Sequence, residues 1–137
     1  MNEKDLFNGY ESIAKRSPEY IELINTQRSL IGLKGHTILN NSNFHELLEK
    51  MHAVEESTLS EINDPALSYK YNYNRMLDDK RDDEMLRNIY HYSTQHLYNK
   101  ALFICGVDHR KSIIRKISAY ERREISKLNW TFYNSDF

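Results

Sequence analysis

Apolar residues recur at helical spacing over most of the first hundred positions of the chain. Ser17 followed by Pro18 is typical of a helix N-terminus, because a serine caps the first turn and proline fits the first helical position. The apolar stripe beyond them predicts a helix that ends near Gly32 or Gly35. The pattern therefore indicates long helices over about residues 1–98.

Two further helix starts are marked in this region. Asn43 with Glu46 three residues later resembles a capping box, and Asp64 with Pro65 predicts the start of a helix that we carry to about His96. The helix after Asn43 has apolar residues at helical spacing: Phe44, Leu47, Leu48, Met51, Val54 and Ile62. Alternating tyrosines after Pro65 resemble a strand, but the helix remains the favoured interpretation.

After Asn99 the pattern changes. Ala101–Cys105 is a continuous apolar run that ends in Gly106, which is typical of a strand buried on both faces. A helix should follow, and residues 128–133 alternate in polarity like a half-buried strand. That helix has four inward positions: Ile113, Ile114, Ile117 and Tyr120. The sequence thus predicts a helix-rich α/β fold with a right-handed β-α-β unit and short parallel strands at about 101–105 and 128–133.

The 137 residues suit one domain, with a helical part over about 1–98 and the β-α-β part over about 99–137. Only 39% of the residues are hydrophobic and 28% are charged, so the core is thin and a partner could cover part of the surface. A net charge of −1 disfavours nucleic acid as a partner. No apolar run approaches the roughly 20 residues of a membrane span, and we expect a cytoplasmic protein.

The turn after the first predicted strand is the main candidate for chemistry. Ligands of open α/β sheets bind beyond the carboxyl ends of the strands, where His109 is expected. Gly106 would allow a sharp exit, Asp108 would cap the helix, and Arg110 would hold an anionic group. His109 could accept a proton or bind a metal, or it could simply cover the turn. The lone Cys105 is better explained as a buried apolar residue than as a nucleophile.

Arg81 is the second candidate. Met85, Ile89 and Tyr92 define the predicted inward face of its helix, and the position four before Met85 is Arg81. A guanidinium on an apolar face needs a carboxylate or an anion as a partner. Arg81 could equally form a structural ion pair with Asp78 or Asp82.

Arg81-Asp82-x-x-Met85-x-x-Asn88-Ile89, followed by an apolar strand ending Gly106-x-x-His109, resembles the C-terminal half of the erythromycin-esterase, TraB, Tiki and ChaN-like group. The similarity covers about residues 78–124. It implies an α/β fold with a site at the strand ends, hydrolysis of ester or peptide bonds in some members, and in some a divalent metal. His109 and Arg81 would then be the catalytic residues, with His109 as metal ligand and Gly106 as the turn that exposes it. Together with Asp108 and Arg110, argued from the residues above, Gly106 would form the substrate or anion site.

The chain departs from that group in lacking the histidine and glutamate motif of its first half; Gly32-Leu33-Lys34-Gly35-His36 is a near miss. The chain would therefore correspond to half of a larger fold. The alternative is a non-catalytic interaction module that forms a homo-oligomer or is covered by a partner chain, because two parallel strands alone leave edges and a face open. A weaker alternative is anion binding at the helix after Gly106.

Two other patterns are weighed against this site. His45, Glu49 and His52 share a helical face at a spacing that could hold a metal ion, although a solvated flank is favoured. The ten tyrosines could form a pocket or stack on bases, but packing and interface roles are favoured in the absence of a basic stripe.

Overall fold

A computed structural model describes residues 3–124 and 127–134, with side chains from Gly9 onward. Within these residues the chain forms five α-helices, two short 3-10 turns and no strand. The helices are α1 (Glu3–Arg16), α2 (Pro18–Lys34), α3 (Ser42–Ile62), α4 (Pro65–Gln95) and α5 (Arg110–Arg123), and the turns are Gly35–Asn40 and Val107–His109. The predicted α/β class is therefore wrong. None of these described helices has the length and apolar character needed to cross a membrane.

The predicted boundaries of α2 and α4 are confirmed. Ser17 Oγ accepts a hydrogen bond from the backbone N–H of Tyr20 at 3.1 Å, as an N-cap should. Gly35 follows α2 with φ of 61°, a backbone conformation that favours glycine. Asp64 Oδ1 accepts from the N–H groups of Ala66 and Leu67 at 3.0 and 3.2 Å and so caps α4.

The cap of α3 differs from the prediction. Asn41, two residues before the predicted capping box at Asn43, accepts a hydrogen bond from the Asn43 N–H at 2.9 Å. The helix ends at Asn63, which has a left-handed backbone with φ of 54°. Asparagine tolerates this conformation better than most residues, so a polar side chain rather than a glycine ends the helix.

The chain divides into two compact units, an N-terminal unit that runs to Asn74 and includes Tyr133, and a C-terminal unit, Arg75–Phe132. α4 contributes its first residues to the N-terminal unit and the rest to the C-terminal unit. The N-terminal core is formed by residues from one face of α1, α2, α3 and the first part of α4. Its buried members are Ile13, Tyr20, Leu47, Met51, Leu59 and Tyr71.

The C-terminal core lies between α4 and α5. Its buried members are Leu86, Tyr90, Ile113, Ile117 and Tyr120. Of the four predicted inward positions of α5, Ile113, Ile117 and Tyr120 are confirmed as buried, and Ile114 is only partly covered. Ion pairs also join these two helices. Lys116 Nζ of α5 lies 2.9 Å from Asp79 Oδ1 and 2.8 Å from Asp83 Oδ2, both on α4.

Neither predicted strand forms. Residues 101–105 have no regular secondary structure, and no backbone-to-backbone hydrogen bond in the described part of the chain involves them. Leu102 and Ile104 are 84% and 80% exposed, which contradicts a strand buried on both faces. A strand exists only where a second strand supplies its hydrogen bonds, and neither run meets one here.

The second predicted strand, 128–133, is also irregular, yet its alternation is partly real. Leu128 and Trp130 pack against the C-terminal core, while Asn129 and Thr131 between them are exposed. The alternation of polarity therefore correctly predicts which side chains of 128–131 face the core. It does not correctly predict that this segment pairs with another strand.

Candidate functional site

His109 ends the 3-10 turn that leads into α5, and its backbone N–H donates to Gly106 O at 3.1 Å. Its ring Nδ1 lies 2.6 Å from Oδ1 of Asp82, which projects from α4. The Asp82 side chain is only 4% exposed and that of His109 is 25% exposed. A short hydrogen bond between a buried carboxylate and a partly exposed imidazole is therefore the centre of the candidate site.

This geometry has a chemical consequence for the imidazole. A carboxylate that accepts a hydrogen bond from Nδ1–H fixes the orientation and tautomer of the ring, which leaves Nε2 as the atom able to accept a proton. The same pair is also explained by a purely structural role, because the hydrogen bond satisfies the buried Asp82 carboxylate. The dyad thus has the arrangement of an oriented base without an identified nucleophile.

The charges of Asp82 and Arg110 act on the Cys105 thiol. Burial raises the pKa of its thiol, the Asp82 charge raises it further, and Arg110 partly opposes both. A thiol with a raised pKa stays protonated at neutral pH and is a poor nucleophile. The structure therefore agrees with Cys105 as a partly covered apolar residue, not as the attacking group.

Arg81 does not approach the apolar face. Its side chain is 66% exposed and donates from Nη1 to Asp78 Oδ1 at 3.1 Å, which is one of the two structural ion pairs considered from the sequence. The inward face of this part of α4 carries Asp82, Leu86 and Tyr90. The predicted face was wrong by one residue, and one residue is about 100° around a helix. The dyad therefore contains Asp82 in place of Arg81.

The other predicted residues of the turn have different roles from those expected. Gly106 has φ of −60° and ψ of 150°, an ordinary extended backbone. A Cβ added there would meet only His109 Cδ2 at 3.6 Å, so the turn does not require glycine. Asp108 does not cap α5, because no side-chain cap is made at its N-terminus and His109 occupies the cap position. Arg110 is the first residue of α5 and is partly exposed.

The described residues do not form a set of metal ligands. Among the described residues, no group of three or more His, Cys, Asp or Glu side chains could hold a metal ion. His45 Nε2 instead lies 2.9 Å from Leu39 O, and His52 Nδ1 lies 3.0 Å from Glu55 Oε2. Among the described residues, Asp82 is the one acidic side chain within hydrogen-bond distance of His109.

Glu55 is a buried charged residue that no pattern in the sequence singled out. Its Oε1 accepts a hydrogen bond from the Tyr20 hydroxyl and its Oε2 accepts one from the Tyr71 hydroxyl, both at 2.7 Å. Burial raises the pKa of Glu55, but hydrogen bonds from His52, Tyr71 and Tyr20 outweigh it and leave that pKa below its usual value. The pKa of Tyr20 is raised by burial and by its bond to Glu55. The available signal was an acidic residue four positions from both Met51 and Leu59, inside an apolar stripe.

Tyr90 joins a second polar cluster in the C-terminal unit. It donates to Glu121 and accepts from Trp130 Nε1 at 3.1 Å, and the Leu128 N–H donates to Glu121 Oε1 at 3.1 Å. Burial and then the Glu121 carboxylate raise the pKa of Tyr90 to about 12. These bonds hold residues 128–130 against α4 and α5.

No family model, no curated protein and no solved structure matches this chain. The resemblance to the erythromycin-esterase and TraB group therefore stays a prediction. Function has to be inferred from the chain's own residues.

Proposed function

We propose that this protein is a non-catalytic interaction module that self-associates through residues 101–105, called here the apolar segment. The observation that carries the proposal is that this segment presents two large apolar side chains, Leu102 and Ile104, about four-fifths exposed, on a backbone that makes no hydrogen bond to the rest of residues 3–124 and 127–134. A backbone with open donors and acceptors and an apolar flank is the usual template for pairing with another chain.

Burial of the exposed apolar side chains would supply free energy for such an association. Burying an exposed Leu or Ile side chain contributes about 1.5–3 kcal/mol, so the two side chains together offer a few kcal/mol before the cost of association is subtracted. Leu97 and Tyr98, just before the apolar segment, are also exposed. Four exposed large apolar residues therefore lie within eight consecutive positions.

Exposure alone does not distinguish this segment, because Leu33 on α2 is also 84% exposed. Leu33 lies near the end of helix α2, where the N–H groups are paired along the helix, and single exposed apolar residues are ordinary on protein surfaces. The apolar segment combines exposed side chains with an unpaired backbone. Leu33 is for this reason a matched control.

Sedimentation velocity over the micromolar range tests the proposal. We expect the wild-type chain to associate with rising concentration, the L102S/I104S double variant to sediment as a monomer, and Leu33→Ser to behave like the wild type. Circular dichroism of the double variant should be unchanged, since neither residue contributes to a core. A wild-type chain that stays monomeric over the whole range, or an equal loss of association in Leu33→Ser, would contradict the proposal.

A second candidate is general-base catalysis of ester or peptide hydrolysis by His109. The 2.6 Å contact between His109 Nδ1 and buried Asp82 favours it, because it orients the ring as a base requires. Hydrolysis of a chromogenic ester should then fall at least about 100-fold in His109→Ala. His91→Ala, which removes an exposed imidazole from α4, is the control for hydrolysis by free imidazole groups. Equal rates in the two variants would exclude the mechanism.

A further inference from the structure

We infer that the association is a closed two-fold dimer in which the apolar segments of two copies pair as antiparallel strands centred on Ile104. The inference rests on the proposed function and names its partner surface: the same segment of a second copy of this chain. A contact between the segment and a different surface would instead be open-ended and would generate longer assemblies.

From Leu102 onward, the exposure of the segment alternates as it does in a strand, although Ala101 before it is also exposed. Leu102, Ile104 and Gly106 are exposed, whereas Phe103 and Cys105 between them are partly covered. Phe103 packs against the C-terminal core. Side chains of an extended backbone alternate between two faces, so one face of the segment lies on its own helices and the other faces outward.

Charge decides how two such segments align. The residues from Ala101 to Val107 are all uncharged, and the run is flanked by Lys100 on one side and Asp108 on the other. Both flanking residues are exposed, and no ion pair joins either of them to another described residue. The segment thus has a positive end and a negative end.

An antiparallel pair centred on Ile104 brings each Lys100 to the end of the second copy's segment that leads into Asp108, which lies in the 3-10 turn Val107–His109. A parallel pair in register would place like charges opposite each other at both ends, which is destabilising. An antiparallel pair centred on Phe103 would place Lys100 opposite Gly106 and leave both charges without a partner. Of these three arrangements, only the one centred on Ile104 brings Lys100 of each copy close to Asp108 of the other.

The same arrangement accounts for the exposed side chains. Residues directly opposite in an antiparallel pair point to the same face. Ile104 of one copy therefore meets Ile104 of the other, and the two Leu102 side chains flank this contact diagonally. The unpaired backbone groups of residues 101–105 obtain partners in the same step. The contact is small, so we expect a reversible dimer with an affinity in the micromolar range.

Cysteine crosslinking tests this register directly. In a Cys105→Ser background, Ile104→Cys should form an intermolecular disulfide readily, because the two positions lie opposite each other at the two-fold axis. Leu102→Cys in the same background is the matched control, since its two copies would lie about 14 Å apart, beyond the reach of a disulfide. We expect crosslinking at 104 to be at least about tenfold faster than at 102.

Charge reversal provides an independent test that does not depend on new thiols. Lys100→Glu and Asp108→Lys should each weaken dimerisation about tenfold, and the K100E/D108K double variant should restore it, because the reversed charges again complement each other. Both single variants should retain the wild-type helical content.

The outcomes separate the two claims. A wild-type chain that never associates contradicts the proposed function itself. A chain that associates, but crosslinks equally at 102 and 104 or shows no rescue in the double charge variant, overturns the two-fold antiparallel dimer and leaves self-association in place. Assemblies that grow beyond two copies would also overturn the closed dimer.

Discussion

The two units treat their polar and apolar groups differently. In the N-terminal unit the buried Glu55 carboxylate accepts hydrogen bonds from two tyrosines and lies within hydrogen-bond distance of His52. In the C-terminal unit the buried Asp82 has His109 as its side-chain partner, and the apolar segment exposes the side chains of Leu102 and Ile104 on a backbone unpaired within the described residues. A saturated core indicates a scaffold, whereas unsatisfied groups in one segment indicate where a further contact is made.

A similar contrast exists inside the C-terminal unit. Two runs of sequence predict strands there, and neither is paired with a strand in the part of the chain that the structure describes. Residues 128–130 are held by Glu121 and Tyr90 through side-chain hydrogen bonds, whereas the apolar segment has no such anchor among the described residues. Residues 128–130 are therefore used for internal packing, and the apolar segment is available to another chain.

The largest effect should come from Glu55→Ala in the N-terminal unit. It leaves two buried tyrosine hydroxyls without their acceptor, and hydrogen bonds to a charged group are worth about 1.5–3 kcal/mol each. We expect the free energy of unfolding to fall by about 3 kcal/mol or more, measured by urea denaturation. Glu61→Ala, an exposed position on the same helix, should cost less than about 0.5 kcal/mol. Equal losses in the two variants would remove the distinction between scaffold and surface.

Trp130→Ala should have the next largest effect. It removes a partly buried indole from the C-terminal core together with its hydrogen bond to Tyr90, and we expect a loss of about 2 kcal/mol in unfolding free energy. Leu102→Ala, in the other predicted strand, should leave the stability of the monomer unchanged. If Leu102→Ala proved as destabilising as Trp130→Ala, the apolar segment would belong to the core and the contrast would fail.

A pH dependence of stability should distinguish the N-terminal unit. The folded pKa of Glu55 is lower than its usual value of 4.5, so the folded state binds fewer protons and is stabilised above that value. Stability should therefore fall as the pH drops below about 4.5 toward the folded pKa. Urea titrations at several acidic pH values measure this slope. Glu55→Gln, which cannot ionise, should show a shallower slope, and an unchanged slope would assign the effect to other carboxylates.

The smallest effect should come from Ser112→Ala on α5. Ser112 Oγ is buried and has no hydrogen-bond partner within the described structure. Removing an unsatisfied hydroxyl avoids its desolvation cost, so we expect a gain of up to about 1 kcal/mol in unfolding free energy. Thermal denaturation measures the shift, with Ser118→Ala at an exposed position of the same helix as the control. A clear loss of stability would indicate a partner outside the described residues.

Local signals predicted the helices well. Ser17, Pro18 and Asp64 mark helix ends through contacts with their immediate neighbours, and such contacts are encoded within a few residues. The two strands failed for the opposite reason. The apolar run of residues 101–105 has the composition of a strand, but a strand needs hydrogen bonds from a distant segment, and composition does not specify that partner.

The candidate site was predicted in part. His109 was identified from its place at a helix start, and it does contact a charged residue of α4. That residue is Asp82 rather than Arg81, because a shift of one position in the assumed inward face turns the helix by about 100°. The stripe of Asp82, Leu86 and Tyr90 has the same four-residue spacing as the chosen one, so polarity alone favoured the wrong face. The 27 residues between Asp82 and His109 make their contact invisible to local patterns.

Amide hydrogen exchange of the apolar segment tests the central claim most directly. Exchange should be measured residue by residue by NMR, at a concentration where the chain is monomeric and at one where it is associated. We predict that amides at alternate positions along residues 101–106 become protected only at the higher concentration, as one edge of an antiparallel pair requires. Fast exchange of all these amides in the associated state would show that the segment is not the contact surface.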